Sequence, residues 1–350
     1  MNRRQALRCL GTVSLLRPSL FSQTRDNADF LKQHPAFDLH CHPGMFVERG
    51  TPQYAGDPAF AKTVADMRAG GLAAAFFSLV ADAKILVRDP SGKVLSPKPF
   101  GAGEAWADCE HQLRSFHELA GREKLALGTS VSQMKPGQLT AFLSCEGGDC
   151  LEGNVEHLDD LYQRGVRSLQ LVHYAQNNLG DSQTLPPLYH GLSNFGRDVV
   201  RRMNRLGMLV DVAHAAFDTV KAIVDVATAP IVLSHTHLQS QSSPHPRLIT
   251  VEHARLISST GGVIGAWPSG FANRTFADFV DQTMRLVDAV GVDHVGLGTD
   301  MDGNFQPVFS NYRQLPDWIA GLHSKGLSES DVAKIAGGNA MRVFGQVCKG

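Results

Sequence analysis

Five histidines and two carboxylates stand at or just past the ends of short apolar runs, and side chains of these types can hold cations and move protons. His40 and His42 flank Cys41 at the end of Ala36–His40. On an extended strand, residues two apart project to the same side, so both imidazoles can hold one cation while Cys41 packs the other way. Glu146 ends the run Ala141–Cys145 and precedes Gly147 and Gly148. A carboxylate at the tip of a buried strand is costly unless a cation or donors compensate it, and its two oxygens can bridge two ions. His214 after Asp211-Val212-Ala213 and His235 after Leu233-Ser234 suit a second ion. His173 closes another run, where it can polarise a carbonyl and stabilise its oxyanion. Asp300 follows His294–Thr299 and is placed to accept a proton; Asp302, two further on, fits a turn-ordering role better. A single histidine of this kind is usually a packed core residue. The paired arrangement points instead to a binuclear metal centre.

Residues so far apart in sequence meet only if the strands that carry them converge. Candidate strands are Ala36–His40, Leu72–Leu79, Leu139–Cys145, Ser168–His173, Met208–Ala213, Ile231–Ser234, Gly262–Ala266 and His294–Gly298. They are short and apolar on both faces, as buried parallel strands are. Amphipathic stretches lie between them, including Asn194–Leu206, Phe217–Val226, Val251–Ser259 and Phe276–Val290. Gly207, Gly261 and Gly291 stand where helices should stop. Eight such units predict a (β/α)8 TIM barrel, whose strand C-termini gather into one pocket. The interval from Ala81 to Gln138 is longer than one helix needs. It predicts an inserted hairpin, Lys84–Val87 against Lys93–Leu95 around Asp89-Pro90-Ser91-Gly92, and then a long helix near Glu104–Leu119.

Composition bounds the rest. The 350 residues, 43% hydrophobic and 19% charged, describe an ordinary globular chain, and a net charge of −1 leaves no electrostatic footprint for nucleic acid. No apolar stretch is long enough to span a bilayer. The six cysteines lack paired zinc-knuckle spacing, although Cys145 and Cys150 could bridge in an oxidising compartment. The opening Met1-Asn2-Arg3-Arg4-Gln5-Ala6-Leu7, followed by the apolar run Cys9–Leu16, has the order of a twin-arginine export signal. Residues 1–30 are accordingly expected to be an export signal or disordered tail, and 31–350 a single metallohydrolase barrel. With an export signal the protein is periplasmic or secreted; with a mere basic tail it is cytoplasmic.

The motifs resemble the membrane (renal-type) dipeptidase family, zinc peptidases among the amidohydrolase-like barrels. They are Asp38-Leu39-His40-Cys41-His42, Cys145-Glu146-Gly147-Gly148, Leu171-Val172-His173, Asp211-Val212-Ala213-His214, Ser234-His235, His245-Pro246-Arg247, Gly298–Gly303 and Gly338–Phe344. Each is weak alone, but in family order from residue 36 to the C-terminus they are specific. The resemblance implies two Zn2+ ions bridged by Glu146, with His40 and His42 on one and His214 and His235 on the other. It further implies that His173 contacts the substrate carbonyl and Arg247 pairs with the C-terminal carboxylate of a dipeptide. Asp300 would take a proton from the bridging water and pass it to the leaving amine. The family tolerates D-residues at the C-terminal position, and a homodimer is implied by resemblance alone. One departure stands out: the family usually carries Asp where this chain has His42, which makes the site one unit more positive. Other amidohydrolase reactions (lactone, N-acyl amino acid or β-lactam hydrolysis) and a catalytically silent metal-binding barrel are the alternatives.

Overall fold

The computed structural model describes residues 27, 29–45, 60–88, 93–240 and 245–349. The export-type opening and the turn 89–92 lie outside them. Eight strands form a closed parallel barrel: β1 (Ala36–Cys41), β2 (Leu72–Val80), β6 (Thr140–Glu146), β7 (Val166–Gln170), β8 (Leu209–Asp211), β9 (Val232–Thr236), β10 (Val263–Ala266) and β11 (Val295–Leu297). Pairing of β1 with β11 and of β2 with β6 completes the ring. Helices follow the strands: α1 (Phe60–Gly70), α2 (Glu104–Arg122), α3 (Glu156–Gln163), α4 (Asn194–Leu206), α5 (Phe217–Val224), α6 (Val251–Ser259), α7 (Phe276–Val290) and α8 (Leu315–Ser324), with α9 (Glu329–Ala333) and α10 (Asn339–Val347) at the end of the chain. This is the predicted (β/α)8 architecture.

Strand alternation builds two concentric cores. Phe37 and Leu39 on β1, Ala74 and Phe76 on β2, and Phe142 on β6 point into the barrel, where Ala340, Val343 and Phe344 of α10 join them. Phe37, Phe76, Phe142 and Phe344 make mutual ring contacts with centroids 4.8 to 6.2 Å apart and plug the barrel interior. The alternate residues, such as Ala36, Ala75, Phe77 and Leu79, pack outward against the helices, and Cys41 joins them past the register shift between Asp38 and Cys41. Both faces are therefore apolar, which is why the strands read as continuous apolar runs.

The excursion after β2 contains the expected long helix, α2, and a hairpin, β3 (Val87–Arg88) paired antiparallel with β4 (Val94–Leu95), whose first strand begins only at Val87 because Ala83–Ile85 form a 3-10 turn. It also holds a strand that the sequence did not announce, β5 (Ala126–Gly128), which pairs with Thr140–Phe142 of β6. β7 joins β6 only from Leu143 onward, so β5 occupies the lower part of the same edge. Three residues, one of them the exposed Leu127, are too short a signal to read as a strand.

Candidate metal centre

Glu146 is the last residue of β6 and is 3% exposed, so its carboxylate needs compensation where it stands. Imidazole nitrogens surround it. Its Oε1 lies 3.4 Å from His40 Nε2, 3.2 Å from His214 Nε2 and 3.7 Å from His235 Nε2. Its Oε2 lies 3.2 Å from His42 Nε2 and 3.5 Å from His173 Nε2. The nitrogens also face each other in pairs, His40 and His42 at 3.0 Å and His214 and His235 at 3.2 Å. Burial, reinforced by the positive charge of Arg247, holds His214 and His235 well below the usual histidine range, so both rings are neutral. Two neutral imidazoles that turn nitrogens toward one another and toward a carboxylate form a donor set that suits cations.

The rings are aimed by their second nitrogens. His42 Nδ1–H donates to the carbonyl of Ser78 at 2.9 Å, which turns its Nε2 toward Glu146. His235 Nδ1 pairs with Ser234 Oγ at 3.0 Å. His173 Nδ1–H donates to Asp82 Oδ1 at 2.6 Å, and Asp82 is fixed in turn by the amides of Tyr174 and Ala175. Burial alone would lower His173; the charges of Asp82 and Glu146 outweigh it and raise the ring above its ordinary value. His42 is likewise penalised by burial but lifted to about 10 by Asp300 and Glu146. For Glu146, burial opposes ionisation, and the positive charge gathered on His173 and His40 overrides it, holding the carboxyl well below the usual range.

Two site residues have left-handed backbone, His214 at φ 65° and Asp300 at φ 51°, a conformation that non-glycine residues adopt at a cost. The Asp300 amide donates to the carbonyl of His40 at 2.8 Å, which brings the residue across from β11 to the tip of β1. Its Oδ2 accepts Trp267 Nε1–H at 3.2 Å, and its Oδ1 lies 3.3 Å from His42 Nε2. Arg247 is fully buried. Its Nη1 donates to Gln183 Oε1 at 2.5 Å and its Nη2 to His235 Nε2 at 2.9 Å, with the guanidinium 5.4 Å from the Trp267 ring centroid. Gln183 reaches it because the loop after β7 is folded around Asp181, whose carboxylate accepts the amides of Leu188, Tyr189 and Gly191, and because Gln183 N bonds the carbonyl of His214.

All the residues singled out from the sequence thus meet in one pocket: His40, His42, Glu146, His173, His214, His235, Arg247 and Asp300. Several boundaries differ. β7 ends at Gln170, so His173 stands in the following loop instead of closing the strand, and β9 runs through His235 to Thr236. His237 is buried against Phe279 and does not face solvent; burial takes it down to about 3. Asp302 does not order its own turn but ties it to distant segments, its Oδ2 accepting the amide of Gly44 at 2.6 Å and Thr63 Oγ1–H at 2.7 Å. Cys145 and Cys150 are free thiols, their sulfurs 4.0 Å apart. Sequence reasoning missed Asp82 and Trp267, which follow the second and seventh runs, the two without a histidine or carboxylate assigned. The same strand-end rule would have found Asp82, whereas Trp267, directly after Ala266, carries neither a histidine nor a carboxylate signal. Asp38 and Asp211 were passed over as motif neighbours. Asp38 receives Thr299 N–H and Tyr312 Oη–H, and Asp211 the amides of Ala213 and Ser234, tying strand tips together.

A closed parallel barrel with carboxylate-centred histidines at its strand C-termini defines a metal-dependent hydrolase of the amidohydrolase-like type. The family model for membrane dipeptidase (peptidase family M19) matches residues 24–349, and the chain belongs to that family: it is a metal-dependent hydrolase of the dipeptidase class. Among curated proteins it is 28% identical over 300 residues to dipeptidase aclJ of Aspergillus oryzae, across 80% of this chain and 68% of that one. Among solved structures, the probable dipeptidase PvdM from Pseudomonas aeruginosa superposes with a TM-score of 0.78 at 20% identity, over 94% of this chain and 99% of that one. A metallopeptidase from Rhodobacter sphaeroides, liganded with a phosphinate mimic of the dipeptide L-Ala-D-Ala, superposes with a TM-score of 0.75 at 20% identity, over 89% and 99%.

Proposed function

We propose that this chain hydrolyses the single peptide bond of dipeptides, including those with a D-residue at the C-terminal position, at a centre of two zinc ions. The observation that carries the reading is the position of Glu146, each of whose oxygens faces imidazole nitrogens from different strands. His40 and His42 would hold one ion, His214 and His235 the other, and Glu146 would be shared. Nitrogen and carboxylate donors of this kind suit zinc. When bound, the ions supply a nucleophile at neutral pH by acidifying water.

The chain's own side chains do the rest. Asp300 Oδ2 is held by Trp267, which leaves Oδ1 facing the centre to accept a proton and return it to the leaving amine. His173, whose Nδ1–H is committed to Asp82, presents Nε2 to the scissile carbonyl. Arg247 supplies the planar fork that a C-terminal carboxylate requires. Arg247 Nη2 donates here to His235 Nε2; were His235 to hold an ion, that N–H would be free for substrate. His42 in place of the family's Asp removes one negative charge from the ligand set, while Asp300, 3.3 Å away, keeps a carboxylate beside it.

The test is hydrolysis of L,L- and L,D-dipeptides and of their C-terminal amides by the purified chain, with chelator and with added Zn2+. Metal-dependent cleavage of the acids that fails on the amides is expected. No cleavage by a chain carrying both metals would end the dipeptidase reading and direct attention to other amidohydrolase substrates. We further propose, on sequence order alone, that Met1–Leu16 directs export. Secretion of a reporter fused to it, abolished by Arg3→Lys with Arg4→Lys, would bear this out.

A further inference from the structure

Behind the tip of β6, on the face opposite Glu146, three cysteine thiols converge. Cys109 comes from α2 in the excursion, Cys145 from β6, and Cys150 from the turn Asp149–Leu151. All three are buried at 0–1% exposure, and their sulfurs lie within 4.8 Å of one another. The Cys145 and Cys150 sulfurs are 4.0 Å apart. We propose that Cys109, Cys145 and Cys150 form a three-sulfur site for one thiophilic ion, cuprous copper by its coordination number, which staples the excursion helix α2 to the strand tip that carries Glu146.

The geometry argues for this ion class. An ion about 2.3 Å from each of three sulfurs in a plane holds those sulfurs about 4.0 Å apart. A disulfide would require one pair at about 2.05 Å, with the third thiol left over. Soft thiolates select Cu(I), zinc or iron–sulfur clusters, and structural zinc takes four ligands, whereas this site provides three. His157, whose Nδ1–H donates to the carbonyl of Cys150 at 3.1 Å and whose ring stacks on Trp106 at 4.1 Å, does not join the cluster of ligand atoms within 4.8 Å of one another, which is the three sulfurs alone. Arg164, held on Glu110 and 5.8 Å from the Trp106 centroid, places positive charge on the same side. Hydrogen bonds from the other two thiols favour a thiolate at Cys109. Binding would displace the remaining thiol protons to solvent, with no change of oxidation state.

The consequence reaches the active face through one peptide bond, because Cys145 immediately precedes Glu146. The experiment uses the full chain, first saturated with Zn2+ at its histidine centre, then titrated with Cu(I) against a chromogenic cuprous chelator. About one copper per chain is expected, with an X-ray absorption shell of three sulfurs at about 2.2–2.3 Å and no nitrogen. Cys109→Ala and Cys150→Ala should each lose that copper while still binding zinc and hydrolysing dipeptide. Absorption on the wild type needs neither variant to fold. No retained copper, a copper shell containing nitrogen, retention unchanged in both variants, a third zinc in place of copper, or isolation of the chain with two of these cysteines as a disulfide would each overturn the proposal.

Discussion

At the scale of single residues, the histidine cluster depends on groups outside the proposed ligand set. Asp82 is fully buried, and its carboxylate accepts one bond from His173 and two from backbone amides. Asp82→Asn preserves shape but places an amide where His173 Nδ1–H needs an acceptor, which favours the wrong tautomer. A fall of roughly 10–100-fold in kcat, with KM little changed, is expected from losing an orienting partner; steady-state kinetics on one dipeptide would show it, and unchanged kcat would remove Asp82 from the machinery. Arg247 predicts the opposite split. Arg247→Lys keeps the charge but loses the fork that bonds Gln183 and His235 together. KM for dipeptides should rise on the order of 10-fold or more, a share of the roughly 2–5 kcal/mol that a buried charged pair carries when cut. An Arg247→Lys enzyme that discriminates acids from amides as well as the wild type would refute the clamp.

At the scale of elements, the sequence was most legible where one physical rule acts alone. Buried parallel strands demand apolar residues on both faces, so the eight barrel strands stood out and four helices, Asn194–Leu206 to Phe276–Val290, were placed to within two residues. The strand-end rule found the histidines and carboxylates that gather around Glu146, because a polar residue after an apolar run has few reasons to be there. It faltered where backbone leaves the strand early. β7 stops at Gln170, and the loop beyond is shaped by Asp181, a contact across several residues that no local pattern carries. β5 was illegible because its register is set by β6. The loop after β11 shows how tightly such segments are built. A Cβ on Gly303 would lie 2.6 Å from His42 Cδ2 and 2.8 Å from Asp300 Oδ1. Gly303→Ala must therefore displace one of these two side chains, not the barrel. A loss on the order of 10²-fold in kcat/KM is expected from misplacement of this size, with the thermal midpoint almost unmoved. Equal losses of activity and stability would show instead that the loop, not the centre, needs the glycine.

At the scale of the whole molecule, the layer between barrel and helices sets the response to acid. His253 on α6 is 3% exposed, packs against Phe217 with ring centroids 5.2 Å apart, and leaves Nε2 without a partner. Burial lowers it to about 4, against about 6.5 in an unfolded chain. Above pH 6.5 the ring is neutral in both states and has no effect on the balance. Between 6.5 and 4 the unfolded chain binds a proton that the folded chain refuses, so stability falls as pH falls; below 4 both are protonated and the loss is complete. A difference of roughly 2.5 units corresponds to about 3 kcal/mol. This ring lies outside the metal-binding pocket, so its contribution can be separated from proton competition at the ligands by comparing two chains that share the same centre. His253→Leu removes the titrating group and fills a similar space with apolar atoms. Urea unfolding of both chains from pH 7 to 4 should give a variant that loses about 3 kcal/mol less than the wild type over that interval. The offset should open between pH 6.5 and 4 and stay constant below. Parallel curves would mean that His253 gains a partner on protonation, and that acid unfolding begins at the histidine centre instead.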